Sequence, residues 1–146
     1  MFKVSTGLRN HMLAIGSFKS AMDLGFLNIY TGTEPATADA ALGAATLLCT
    51  ISVNGGGAGL TFDTPAVGGV LSKTTGQNWQ GTIVATQTAT FFRFVQPGDT
   101  GLLDAAAKRV QGNIALVGGD LNLSNILLTA PAIQTINHFN VALPTL

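Results

Sequence analysis

The residues of this chain that could do chemistry are few and scattered. Two histidines (His11 and His138), one cysteine (Cys49) and seven carboxylates (Asp23, Glu34, Asp39, Asp63, Asp99, Asp104 and Asp120) are the whole stock. A metal site needs several such ligands converging on one point. The histidines stand near opposite ends of the sequence with no His-x-His…Glu cluster between them, so no metal and no cofactor is expected. A serine triad needs a histidine held by a carboxylate and facing the hydroxyl, and neither histidine is accompanied by a Gly-x-Ser-x-Gly elbow. Paired carboxylates for glycoside hydrolysis would come from acids that all lie in or beside turns, where they solvate loops and bond nearby backbone. The run Gly55-Gly56-Gly57 lacks the Gly-Lys-Ser/Thr and the helix of a phosphate loop, and reads as a hairpin connection. The expectation is a protein that is not an enzyme.

Trp79, Phe91, Phe92 and Phe94 are the aromatic reserve. On a surface they would stack sugars, as in a lectin-like module; in a small β domain they are needed inside, and the core is the stronger expectation. Cys49 has no cysteine to pair with, and its neighbours Leu48, Thr50 and Ile51 suit a half-buried strand with a structural thiol. His138 is expected to be a satisfied, partly buried imidazole in the last strand.

These side chains need a scaffold, and the composition limits what it is. The chain has 146 residues, enough for one domain spanning 1–146. Only 10% of them are charged, with a net charge of zero, against about 25% in ordinary domains. Nucleic acid finds little electrostatic footprint here, and copies of the chain repel one another little. No stretch approaches the 18 or so apolar residues of a membrane span. Arg9, Asn10 and His11 interrupt any signal-type apolar run, so synthesis in a cytosol is expected.

Residues 6–22 carry a helical period: Leu8, Met12, Ile15, Phe18 and Met22 recur at spacings of three and four. Thr6 is the candidate N-cap, and Gly16-Ser17 should break the segment in two. From Phe26 the period becomes extended. Strands are expected at Phe26–Tyr30, Thr46–Val53, Gly59–Asp63, Val70–Ser72, Trp79–Val84, Thr90–Val95, Arg109–Leu116, Asp120–Leu123 and Gln134–Leu143. Leu47, Cys49, Ile51 and Val53 alternate against Leu48, Thr50 and Ser52, and Arg93 should point away from Phe92 and Phe94. Residues 35–45 read as either a short surface helix or a small-residue loop. The fold class that follows is mainly β: a β-sandwich or jelly roll of eight or nine short antiparallel strands over 26–146, with an N-terminal helical segment.

Several stretches also carry a resemblance. Ser5-Thr6-Gly7-Leu8-Arg9-Asn10 is followed by Ile29-Tyr30-Thr31-Gly32-Thr33-Glu34-Pro35-Ala36-Thr37-Ala38-Asp39-Ala40-Ala41, then by Gly59-Leu60-Thr61-Phe62, Trp79-Gln80-Gly81-Thr82 and Ala89-Thr90-Phe91-Phe92-Arg93-Phe94. Asp120-Leu121-Asn122-Leu123-Ser124-Asn125 and Phe139-Asn140-Val141-Ala142-Leu143-Pro144 close the order. It resembles a family of small tailed-bacteriophage virion proteins encoded with the head genes, and similar jelly-roll proteins act as cement, or decoration, on the icosahedral shell. The resemblance implies a structural virion component on the capsid exterior. Its partners would be the major capsid protein and copies of itself in a homodimer or homotrimer, with no nucleic acid and no membrane. The other reading is a tail-tip or fibre module with a carbohydrate site on Trp79 or Phe92. The expected interface is the helical face Leu8, Met12, Ile15, Phe18 and Met22, which either caps the sandwich or docks on a partner. Arg9, Lys19 and Arg93 on that interface, with Arg109 as a further charge, would set register at the contact.

Overall fold

The structure, a computed structural model, describes residues 1–142. It is a mainly β protein of the β-sandwich kind with a short helical segment near its start. In chain order the elements are β1 (Lys3–Val4), α1 (Thr6–Ala14), α2 (Phe18–Met22), β2 (Phe26–Thr31), β3 (Thr46–Val53), β4 (Val70–Ser72), β5 (Trp79–Thr82), β6 (Gln87–Thr88), β7 (Phe91–Val95), β8 (Arg109–Ala115), β9 (Leu121–Asn122), β10 (Leu127–Leu128), β11 (Ile133–Ile136) and β12 (Asn140–Ala142). Neither helix is long enough to cross a membrane.

The large sheet runs β1-β8-β7-β2-β3-β5-β11, with β9 beside β8; β6 with β10 and β4 with β12 form two small ribbons. Every pairing is antiparallel except β8 with β9, which is parallel and departs from the all-antiparallel expectation. The loop 116–120 returns the chain to Asn113, where Asp120 and Asn113 exchange hydrogen bonds, so that Leu121 and Asn122 run beside Ile114 and Ala115 in the same direction. The inner face of the sheet presents Leu27, Ile29, Ile51, Phe92, Phe94 and Val110, all essentially without solvent. Phe62 and Phe139, flanking the β4–β12 ribbon, supply the second layer. Phe62 meets the Trp79 ring edge-on at 5.7 Å and Phe139 lies 5.9 Å from Phe94. The aromatic residues are thus the core, and such ring pairs add about 0.5–1.5 kcal/mol each beyond their burial.

The helical segment breaks where Gly16-Ser17 breaks it, with Ser17 capping α2 through Ser20 N. The N-cap of α1 is Ser5, one residue before Thr6: its hydroxyl accepts from Leu8 N and also ties the start of β8 through Arg109 N and Ala107 O. Thr6 is the first helical residue, and its N–H and hydroxyl both donate to Asp39.

Other departures have local causes. Residues 59–63 are held by two isolated bridges, Leu60 to Gly25 and Phe62 to Lys73, rather than as a strand. The expected last strand is two, β11 and β12, separated by a corner that turns Phe139 inward and leaves His138 exposed; Leu143 lies outside the described residues. Residues 35–45 form a loop without helix. In β3 a bulge opposite Ile29 and Tyr30 inserts Leu48. One extra residue reverses the alternation beyond it, so Leu48 and Cys49 are both buried and Leu47 is turned out.

Candidate interface and groove

The structure divides the eight residues expected at an interface. Leu8 and Met22 have no exposed surface and belong to the core, so the helical face caps the sandwich at these two positions. Met12 and Phe18 pack against that core and remain half-buried. Ile15 is 77% exposed, with Leu13 beside it. The break at Gly16 is the reason: α2 starts a new axis, and Ile15 falls off the shared face. Arg9 is exposed and donates to Thr6 Oγ1. Lys19 is half-buried, pairing with Asp23 and donating to Phe62 O, which fixes α2 on the bridge at Phe62.

Arg93 does point away from Phe92 and Phe94, but it is fully buried and available to no partner. It lies on the outer face of β7, under the loop 33–45. Its Nε and Nη2 donate to Gln111 Oε1 and its Nη1 to Ala40 O. Gln111 in turn donates to Pro35 O and Glu34, and Lys3 pairs with Glu34 at 2.7 Å. Beside it Arg109 is held by Asp99. Burial, and after it the like charge of Arg109, holds the Arg93 guanidinium below its ordinary range. The charged residues here are fasteners: they convert the outer face of β2, β7 and β8 into a second, polar core beneath the loop. Ala38 is that loop's one buried apolar side chain.

The histidines are equally local. His11 Nε2 lies 3.0 Å from Ser20 Oγ, a proximity the sequence does not announce. Ser20 Oγ also lies within hydrogen-bond distance of Ser17 O, to which it donates. His11 Nδ1 is buried without a partner. Among the described residues no three His, Cys, Asp or Glu side chains converge as a metal would require.

The opposite side of the molecule has a different character. Residues 40–62, 74–92 and 121–146 contain no Asp, Glu, Lys or Arg. These segments supply β3, β5, β6, β9, β10, β11 and β12, so the β3-β5-β11 end of the large sheet, β9 beside β8 and both small ribbons carry no charged side chain. On it Val84 is 66%, Ile133 62% and Leu127 52% exposed. The gaps in the charge distribution are visible in the sequence, but only the pairing of β3 with β5 and β5 with β11 gathers them into one surface. The same sector holds two adjoining hollows of about 270 and 220 Å³ that share Leu121, Asn122 and His138. Together they make a groove with residues 120–124 along one wall and 134–140 along the other.

No family model, no curated protein and no solved structure matches this chain.

Proposed function

We propose that this chain is a structural virion protein of a tailed bacteriophage. In this reading it is a capsid cement, or decoration, protein that binds the outside of the shell made by the major capsid protein, as a homodimer or homotrimer. It would be made in the host cytoplasm and end on the capsid exterior. The observation that carries the reading is the uncharged sector: β3, β5 and β11 and both small ribbons carry no charged side chain, and Val84, Leu127 and Ile133 are exposed, in a chain of zero net charge. Contiguous exposed apolar surface marks docking sites, and charged residues are depleted from the centres of protein interfaces. The opposite side is stiffened by polar fasteners, which suits a part that must hold its shape outside the cell. The order of sequence stretches resembling small phage head proteins adds the setting, and many copies on one lattice multiply a modest contact.

Counting copies per purified particle tests the reading. Hundreds of copies on the shell, and particles that rupture at lower temperature without the protein, are the expected results. A handful of copies, or none, overturns it. The alternative of a carbohydrate-binding tail module draws no support from Trp79 or Phe92, because both rings are wholly buried.

A further inference from the structure

The groove is bounded by two open sheet edges. Ile83 N donates to Ala132 O, so alternate residues Gln134 and Ile136 carry the ladder to β5, and Ile133 and Thr135 turn their N–H and C=O groups away from it, the Thr135 carbonyl accepting from the exposed Gln134 side chain. On the other wall Leu123 N donates to Ala115 O in the parallel ladder to β8, so Asn122 between Leu121 and Leu123 turns its main chain outward. Among the described residues no strand pairs with β11 beyond β5, or with β9 beyond β8. An exposed edge is usually blunted by lysine, proline or a bulge, since it templates pairing with another chain. Here residues 121–124 and 134–140 contain neither Lys nor Pro. The acid at the mouth, Asp120, is already engaged by the Met1 ammonium at 2.9 Å and by Asn113 N.

We propose that this groove is a strand-acceptor site, which takes an extended, uncharged segment of a neighbouring protein chain by main-chain pairing to β11 and β9. Strand addition draws affinity from backbone hydrogen bonds and selectivity from the alternate side chains that enter. Phe2 and Phe139 line one end and would receive an apolar side chain. The amides of Asn122, Gln134 and Asn137 line the rest, and a charged side chain entering there would lose water without gaining a partner. A glycan is the weaker occupant, because β11 and β9 turn unpaired main chain outward and Trp79 and Phe92 are buried in the core. The proposal rests on the reading of the protein as one that works by adhering to neighbours, and it names the chemistry of one such contact.

The test is an amide NMR titration of the whole chain with a capped octapeptide alternating threonine and valine, with maltohexaose titrated in parallel. The expected result is saturable shifts at Asn122, Ser124, Thr135 and Asn137 with the peptide and none with the sugar. Thr135→Pro deletes one outward N–H while sparing the ladder to β5, as edge strands tolerate, and should weaken the peptide about tenfold. Asn137→Lys, a surface change that leaves the backbone intact, should weaken it as well. An unperturbed spectrum in the core shows that both variants fold. Shifts in neither wall or in one only, undiminished binding by both variants, or shifts with maltohexaose alone would each overturn the proposal. No particle enters this experiment, so its failure and a failed copy count are separate results.

Discussion

Arg109 and Asp99 meet inside the protein as a two-bonded ion pair: Nε to Oδ2 is 2.6 Å and Nη2 to Oδ1 is 3.1 Å, with side chains only 1% and 7% exposed. The remaining guanidinium N–H groups reach Ala38 O and Asp39 O, so this pair joins the loop after β7 to the loop over β7 and β8. Breaking a buried pair from one side leaves a charge with neither water nor partner, at a cost of about 3–5 kcal/mol. Asp99→Ala should therefore unfold at markedly lower urea. Replacing both residues together, as Asp99→Leu with Arg109→Met, should recover most of the loss, because the desolvation of two charges is removed along with their attraction. A double-mutant cycle by urea denaturation checks this; additive losses would mean that the pair does not act as a unit.

The thiol of Cys49 gives a prediction with a definite sign. Burial alone pushes it up from 9.0 to about 11. A group whose folded value lies above its unfolded value contributes stability that is complete below the unfolded value and is lost as pH rises through the folded one. The Cys49 contribution should thus be intact at pH 8 and decline between pH 9 and pH 11, by about 2–3 kcal/mol in all. Tyr30, also raised by burial, adds a loss in the same direction. Comparing the alkaline stability of the parent with Cys49→Ala isolates the thiol: the variant should lose less stability across that interval. If the two curves fall in parallel, the buried thiol is not the cause.

The β core was legible in the sequence because its signals are local. Thr46–Val53 and Val70–Ser72 were readable to the residue, from β-branched runs between glycine turns. The break at Gly16-Ser17 and the outward aim of Arg93 were equally readable. What escaped was set by tertiary contacts. The two-residue strands β1, β6 and β10 exist only because a partner strand passes by, and no two-residue run has a period to detect. The bulge at Leu48 reverses a correct alternation without any glycine to announce it. The burial of Arg93 and Arg109 was invisible for a similar reason: the loop that covers them is held by Glu34, Asp39 and main-chain carbonyls some 53 to 77 residues away in sequence. Read alone, an arginine in a strand flanked by phenylalanines looks like a surface charge. Arg93 is thereby withdrawn from the candidate interface, while the uncharged sector leaves a trace in the sequence as long stretches without charge.

Gly81 offers a sharp test of how tightly β5 is seated. A Cβ at this position would fall inside the van der Waals shell of Thr50 O and press on Cys49 Sγ across the pairing with β3. The obstacle is main chain, which cannot rotate aside, so Gly81→Ala should force the two strands apart and abolish cooperative folding. Gly57, in the hairpin that follows β3, has open space around its Cβ direction but a φ of +81°. There the penalty is only the left-handed backbone, and Gly57→Ala should cost about 1–2 kcal/mol. Thermal melts of both variants separate the cases; equal effects would contradict the close strand contact.

The adhesive surface can be located with charges. Two of the exposed apolar sites are set against each other: Leu13 and Ile15 at the end of α1, and Val84 with Ile133 on the uncharged sector. All four are more than half exposed, so replacing any of them with lysine should change stability by no more than about 0.5 kcal/mol. Binding is another matter. A lysine buried at the centre of a contact loses its hydration without a counter-ion, and centrally placed residues dominate interface energies. Val84→Lys with Ile133→Lys should therefore abolish co-sedimentation with phage particles, whereas Leu13→Lys with Ile15→Lys should leave it intact. Val84 lies two residues beyond β5 and Ile133 on β11, which forms one wall of the groove, so the same double variant should also lower the self-association of the free protein. The reverse pattern, loss with the helical pair alone, would move the contact to the N-terminal segment and detach it from the uncharged sheet.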